Sequence, residues 1–254
     1  MKPLAPDRLT WLGHATVLLE LSGARLLTDP VLRSRVAHLR RWAPEPPDPG
    51  ALDAVLISHA HRDHLDLPSL RRLDPGAIVV CAPGAVRSLR RLGRTVVELA
   101  AGEEVRIGGV VVRAVRAVHA GRRSPRLVPA GAIGFVASGD QRVYFAGDTE
   151  VFAGMAELGD GLDAALVPVA GWGPSLGPGH MNAAQAAEAI ALLRPRVAVP
   201  IHWGTFLALG LRRGHAQLLR DPPHAFAARV AALAPATRVA ILAPGASLML
   251  GQTE

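Results

Sequence analysis

The stretch Ala54-Val55-Leu56-Ile57-Ser58-His59-Ala60-His61-Arg62-Asp63-His64 is the most informative in this 254-residue chain. Its first four residues are apolar without alternation, as in a strand buried on both faces. They run directly into an H-x-H-x-D-H cluster. Neutral imidazoles and carboxylates suit zinc and other borderline first-row cations. Alternate residues of an extended segment point the same way, so His59 and His61 can share one metal. A turn into helix at Arg62 would let Asp63 and His64 face a second metal close by. The plainer alternative is a solvated turn that happens to be His-rich. Three histidines and an aspartate within six residues, directly after a buried strand, are hard to obtain by accident.

Working outward, the other candidates also sit at strand ends. Residues 110–118 read as a strand ending in His119, 142–146 as one ending in Gly147-Asp148, and 197–200 as one ending in Ile201-His202. Singly, each is an ordinary terminal residue; ligands gathered at one sheet edge can converge on one cleft. Further strands are expected at 16–21 and 25–28, joined through Ser22-Gly23, and at 78–81, 96–99, 104–107, 132–137, 164–167, 239–242 and 247–250. Helices are expected at 68–73, 83–92, 152–158, 183–193 (capped by Asn182) and 223–233, and a Pro-rich loop at 42–49. Strands and helices in both halves favour an α/β fold, an αββα sandwich of two mixed β-sheets flanked by helices. With no linker, repeat or low-complexity tract, one domain spanning residues 1–254 is expected.

Half the residues are hydrophobic and 19% are charged, which excludes a disordered or fibrous protein. Charges or prolines interrupt every apolar run before the ~20 residues a membrane span needs, and Lys2 before Pro3 and Pro6 does not open a signal peptide. The single cysteine, Cys81, cannot form an internal disulfide, so a cytoplasmic protein is expected, with Cys81 a buried small hydrophobe. The net charge of +7 does not imply nucleic acid. Apart from Lys2 every cation is arginine, the arginines are scattered, and one Tyr and five Phe offer little to stack on bases. An anionic small-molecule substrate is compatible with that charge.

The order H-x-H-x-D-H, His119, Asp148, His202 resembles the metallo-β-lactamase superfamily. Four flanking segments, Trp11-Leu12-Gly13-His14-Ala15-Thr16, Leu56-Ile57-Ser58-His59-Ala60-His61, Phe145-Ala146-Gly147-Asp148-Thr149 and Ile201-His202-Trp203-Gly204-Thr205-Phe206, are similar to the branch containing L-ascorbate-6-phosphate lactonase and N-acylphosphatidylethanolamine-hydrolysing phospholipase D. The resemblance implies that His59, His61 and His119 bind one metal, Asp63, His64 and His202 the other, and that Asp148 bridges them. It implies two divalent ions, zinc before manganese or iron, and a hydrolase whose metal-bridging hydroxide, oriented by Asp63, cleaves a phosphodiester, lactone or ester bond. Arg62 stands where relatives often carry an aromatic or polar residue, a difference at the cleft rim, and the stretch 128–134 is less typical of the branch. An iron-dependent redox enzyme and a non-catalytic metal-binding module are the competing functions.

His180, in Gly177-Pro178-Gly179-His180-Met181-Asn182, matches a histidine of the relatives that lies near substrate; it is expected to contact a phosphoryl or carbonyl oxygen or protonate a leaving group, the alternative being a helix-capping role. His14 is either a partner that holds a ligand in place or a structural histidine at a bend. Thr149 and Trp203 are read as packing or supporting residues. Arg122, Arg123 and Arg126, and Arg33, Arg35, Arg40 and Arg41, form two basic clusters that suit an anion or are simply solvated loops. His38, His215 and His224 are read as surface histidines, and residues 206–211 as a packed apolar loop rather than a membrane anchor.

Overall fold

A computed structural model describes residues 5–119, 131–211 and 215–251. Its strands are β1 (Arg8–Gly13), β2 (Thr16–Leu21), β3 (Ala24–Thr28), β4 (Arg35–Val36), β5 (Leu39–Arg41), β6 (Ala54–Ile57), β7 (Ile78–Cys81), β8 (Val96–Glu98), β9 (Glu104–Ile107), β10 (Val110–Arg116), β11 (Ile133–Ser138), β12 (Arg142–Phe145), β13 (Ala164–Pro168), β14 (Val197–Ile201), β15 (Phe206–Ala208), β16 (Arg238–Val239) and β17 (Ser247–Met249). The α-helices are α1 (Leu67–Leu70), α2 (Val86–Leu89), α3 (Met155–Leu158), α4 (Ala183–Leu193) and α5 (Pro222–Leu233). The expected helices at 68–73 and 152–158 shorten to single turns, the one expected at 83–92 starts at Val86 and continues as a 3-10 helix to Leu92, and the strand expected at 239–242 ends at Val239.

Two seven-stranded sheets face each other, one ordered β17-β1-β2-β3-β6-β7-β8 and the other β16-β14-β13-β12-β11-β10-β9. Each is mixed: β3, β6, β7 and β8 run parallel, as do β12, β13, β14 and β16, while the remaining pairs are antiparallel. Between the sheets lies a core that includes Leu9, Trp11, Val17, Leu19, Val112, Phe135 and Phe145. Leu70, Leu73 and Leu89 cover the outer face of the first sheet against Val55, Ile57 and Val79. On the second sheet, Ile190, Leu193, Phe226 and Val230 pack over Tyr144, Ala165 and Val167. This is the αββα sandwich, and it explains why β6 does not alternate: all four of its residues are buried because both faces are covered. Cys81 is fully buried on β7, as expected, and burial pushes its thiol up to about 12.

A third sheet, ordered β15-β5-β4, stands at the rim. Its strands occupy two regions read as loops from sequence: the early arginine-rich stretch, and residues 206–211, of which 206–208 are strand. Phe206 packs with Val31, Val36 and Leu39. Two of the arginines here are tied down. Arg33 makes a two-pronged contact with Asp66 (2.8 and 2.7 Å), and Arg41 is buried, giving hydrogen bonds to the carbonyls of Val31, Arg33 and Pro44 with its guanidinium 4.8 Å from the Phe206 ring. The other cluster, Arg122, Arg123 and Arg126, lies outside the described residues, as do residues 128–130. No helix among the described residues is long and apolar enough to cross a membrane.

Candidate metal centre

The site forms where parallel strands of both large sheets end. Asp29 follows β3, Ser58 and His59 follow β6, Gly147 and Asp148 come just after β12, and His202 follows β14. Carboxyl ends of parallel strands are where such sheets leave a crevice. Beyond β6 the chain closes one helical turn: the amides of His64 and Leu65 both donate to the His61 carbonyl (3.1 and 2.7 Å), which brings Asp63 and His64 round toward the crevice. His14, Asp29 and His202 have φ of 56°, 33° and 63°, a left-handed backbone unusual without glycine. Hydrogen bonds hold each one: His14 N to Thr205 Oγ1 (2.7 Å), His202 N to His14 O (2.9 Å) and Asp29 N to Leu56 O (2.9 Å). Gly147, with φ of 60°, must be glycine, because a Cβ there would lie 2.7 Å from Ser58 Cβ. Its absence lets Asp148 approach β6.

The seven residues singled out from sequence as metal ligands all enter two groups of four, each with donor atoms within 4.8 Å of one another. One group is His59, His61, His119 and Asp148; the other is Asp63, His64, His202 and, in addition, His14. His14 Nε2 is 3.3 Å from Asp63 Oδ2, and its ring centroid is 3.9 Å from that of His202. Asp148 touches both groups: its Oδ2 is 3.8 Å from His59 Nε2 and 3.1 Å from His64 Nε2, and its Oδ1 is 3.5 Å from His202 Nε2.

The outer nitrogens decide which way the inner ones face. Carbonyls only accept, so His119 Nδ1–H donates to Gly179 O (2.7 Å) and His202 Nδ1–H to Ala170 O (2.8 Å). His64 Nδ1–H donates to Asp29 Oδ2 (2.7 Å). Ser58 Oγ–H donates to the same carboxylate oxygen (2.5 Å), so its oxygen accepts from His59 Nδ1–H (3.0 Å). With its outer nitrogen protonated, a neutral imidazole turns its Nε2 lone pair inward. His64 Nε2 and His202 Nε2 lie 3.3 Å apart, and the buried Asp148 Oδ1 has no hydrogen-bond donor among the described residues. Lone pairs and an orphaned carboxylate oxygen pointing at one another repel unless a cation sits between them. The donor set therefore fits metal ions.

Electrostatics agree. Burial, with His202 beside it, drives His14 down to about 3, and burial with His119 beside it drives His61 to about 4; burial likewise holds His59 well below its ordinary value. These imidazoles are neutral at pH 7, as ligands must be. Burial opposes charge on Asp63 and Asp148, yet His64 and its neighbours outweigh it and hold both carboxyls well below their usual range. His64 shows the converse: three carboxylates, Asp148, Asp29 and Asp63, overcome burial and raise it. Positive charge is favoured at the centre of the site.

A cavity of about 410 Å³ opens over the donors, lined at its base by His61, Asp63, Asp148 and His180 and at its mouth by His38, Arg62 and Trp172. A second cavity, about 640 Å³, lies on the other side of His180. His180 Nε2 is 3.3 Å from Asp148 Oδ2, and its Nδ1–H donates to Gly177 O (3.0 Å); the helix cap beside it is Asn182, which accepts from the amides of Ala184 and Gln185. Thr149 Oγ1 accepts from Val118 N (2.9 Å), steadying the chain next to His119, and Trp203 stacks on Trp11. Two contributions to the site are not legible in the sequence. Asp29 supports both groups, yet Thr28-Asp29-Pro30 looks like any turn after a strand. His38 is exposed, as expected, but lines the cavity; only the partner strand β15, invisible in sequence, puts it there.

Residues 24–203 match the model of the beta-lactamase superfamily domain. A UPF0173 metal-dependent hydrolase of Methanopyrus kandleri is 32% identical over 206 residues, 78% of this chain and 85% of that protein. N-acyl-phosphatidylethanolamine-hydrolyzing phospholipase D 1 of Caenorhabditis elegans is 32% identical over 229 residues; the match takes in 78% of this chain and 64% of that longer protein. Among solved structures, Igni18, a metallo hydrolase of Ignicoccus hospitalis, superposes with a TM-score of 0.75 at 24% identity over 98% of this chain and 100% of its own, a likeness of fold.

Proposed function

This chain belongs to the beta-lactamase superfamily, and from that premise we propose a dinuclear metal-dependent hydrolase that cleaves a phosphodiester, lactone or ester bond in a small anionic substrate. The coarser statement, a metal-dependent hydrolase, rests on the superfamily and on relatives that carry that name. The dinuclear reading rests on one observation: two groups of four donors meet at Asp148, with imidazole lone pairs and Asp148 Oδ1 turned inward.

In this reading His59, His61 and His119 would hold one ion and Asp63, His64 and His202 the other, with Asp148 available to both groups. Bound divalent ions supply Lewis acidity and a water of lowered pKa; zinc is the first choice, and manganese and iron suit the same donors. The protein's own part is positional. Asp63 accepts a hydrogen bond from the attacking water and orients it, and His14, 3.3 Å away, keeps that carboxylate in place. His180, between two cavities, donates to a substrate oxygen or to the leaving group.

The test is elemental analysis of protein purified without added metal, paired with hydrolysis of bis-p-nitrophenyl phosphate and a simple lactone. About two metal equivalents are expected, with activity lost in His61→Ala and Asp148→Ala, and the preferred substrate names the bond class. Less than one equivalent after reconstitution with zinc, manganese or iron, with neither substrate turned over, would overturn the reading.

A further inference from the structure

The cavity over the donor groups has one aromatic wall. Trp172 is 37% exposed, a large apolar side chain left in contact with solvent. Its ring meets that of His38 edge to face, at 4.7 Å between centroids and 80° between planes. Both residues are pinned by neighbouring amides at the end of β15: Ala208 N–H donates to Trp172 O (3.1 Å) and Leu209 N–H to His38 O (2.8 Å). Adjacent amides thus hold the two backbones side by side, and the rings meet in the cavity wall as a surface for a flat ligand ring.

Arg62 lines the same cavity. Arg33 and Arg41 are fully engaged, but the Arg62 side chain has no hydrogen bond or ion pair with any described residue. A guanidinium with its donors free beside a cavity binds carboxylate or phosphate oxygens in a forked geometry. Arg62, at the mouth, is therefore the partner for an anionic group that the ligand carries away from the bond that is cleaved.

We propose that His38, Trp172 and Arg62 form the specificity wall of this site and select a substrate that joins an aromatic ring to an anionic group. This deepens the hydrolase reading and depends on it only for the bond that is cleaved.

Phenylphosphonate and methylphosphonate, which share a charged head and differ in the ring, separate the two parts by calorimetric titration of the zinc-loaded protein. Phenylphosphonate is expected to bind about tenfold tighter, the order of magnitude of one such aromatic contact. Trp172→Ala, and independently His38→Ala, should bring that ratio toward one. Arg62→Gln should weaken both phosphonates roughly tenfold and leave the ratio intact. A wild-type ratio within about twofold of one, a ratio that survives both ring substitutions, or unchanged binding in Arg62→Gln would each overturn the proposal. The titration does not depend on turnover. If the hydrolase reading fails, the zinc-loaded protein turns over neither test substrate while the aryl preference persists; if this inference fails, turnover persists and the preference is flat.

Discussion

Asp29 lies beneath the site with no exposed surface, and its Oδ2 takes hydrogen bonds from His64 directly and, through Ser58, serves His59. One carboxylate therefore orients an imidazole in each donor group. Asp29→Asn puts an amide donor where a second acceptor is needed, and metal affinity should fall roughly 10–100-fold, read by competition with a chromophoric chelator. Tyr144, the chain's only tyrosine, offers a test away from the metals. Its hydroxyl is buried with no partner among the described residues, and burial raises its pKa above the ordinary value. Above about pH 10 the unfolded chain releases that proton while the folded one keeps it, so stability falls as pH rises. Tyr144→Phe should make the alkaline slope shallower, leaving the share of the buried Cys81, and add about 1 kcal/mol in a urea melt at neutral pH; a loss of stability would show that the hydroxyl has a partner after all. At this scale the sequence was readable where chemistry was concentrated. Three histidines and an aspartate in six residues declare themselves, as Asp29 and His38, each alone in ordinary surroundings, do not.

The long elements were legible as well, because burial repeats along them and their ends are marked. Helix α4 is the clearest case: Asn182 accepts from the amides of Ala184 and Gln185, and the Gln185 side chain accepts from Asn182 N, a reciprocal cap. Asn182→Ala should cost about 1 kcal/mol in denaturant unfolding. The two-residue and three-residue strands β4, β5 and β15 could not be read, since elements that short show no period. Their sheet is held by pairing between distant segments and by the buried Arg41, whose burial lowers its pKa to about 10. In sequence that arginine looks like its solvated neighbours.

Across the whole molecule, the expected sandwich followed from strands and helices recurring in both halves, and its function depends on the two sheets ending at one place. His14, His59, His61, Asp63 and His64 come from the first sheet and its turns; His119, Asp148 and His202 come from the second. Metal held between them ties the halves together and favours the folded state by mass action, about 4 kcal/mol when free metal exceeds its dissociation constant a thousandfold. Chelation should lower the urea midpoint accordingly, and an unchanged midpoint would mean that the donors hold no metal in solution. The same division has a consequence during synthesis. His202 lies 138 residues after His64. At roughly 5–20 residues per second, a ribosome spends on the order of ten seconds or more making the chain between them. Throughout that interval the first five donors exist while the other three are incomplete, and His14 lacks Thr205, its backbone anchor, so the full set can meet only late in synthesis.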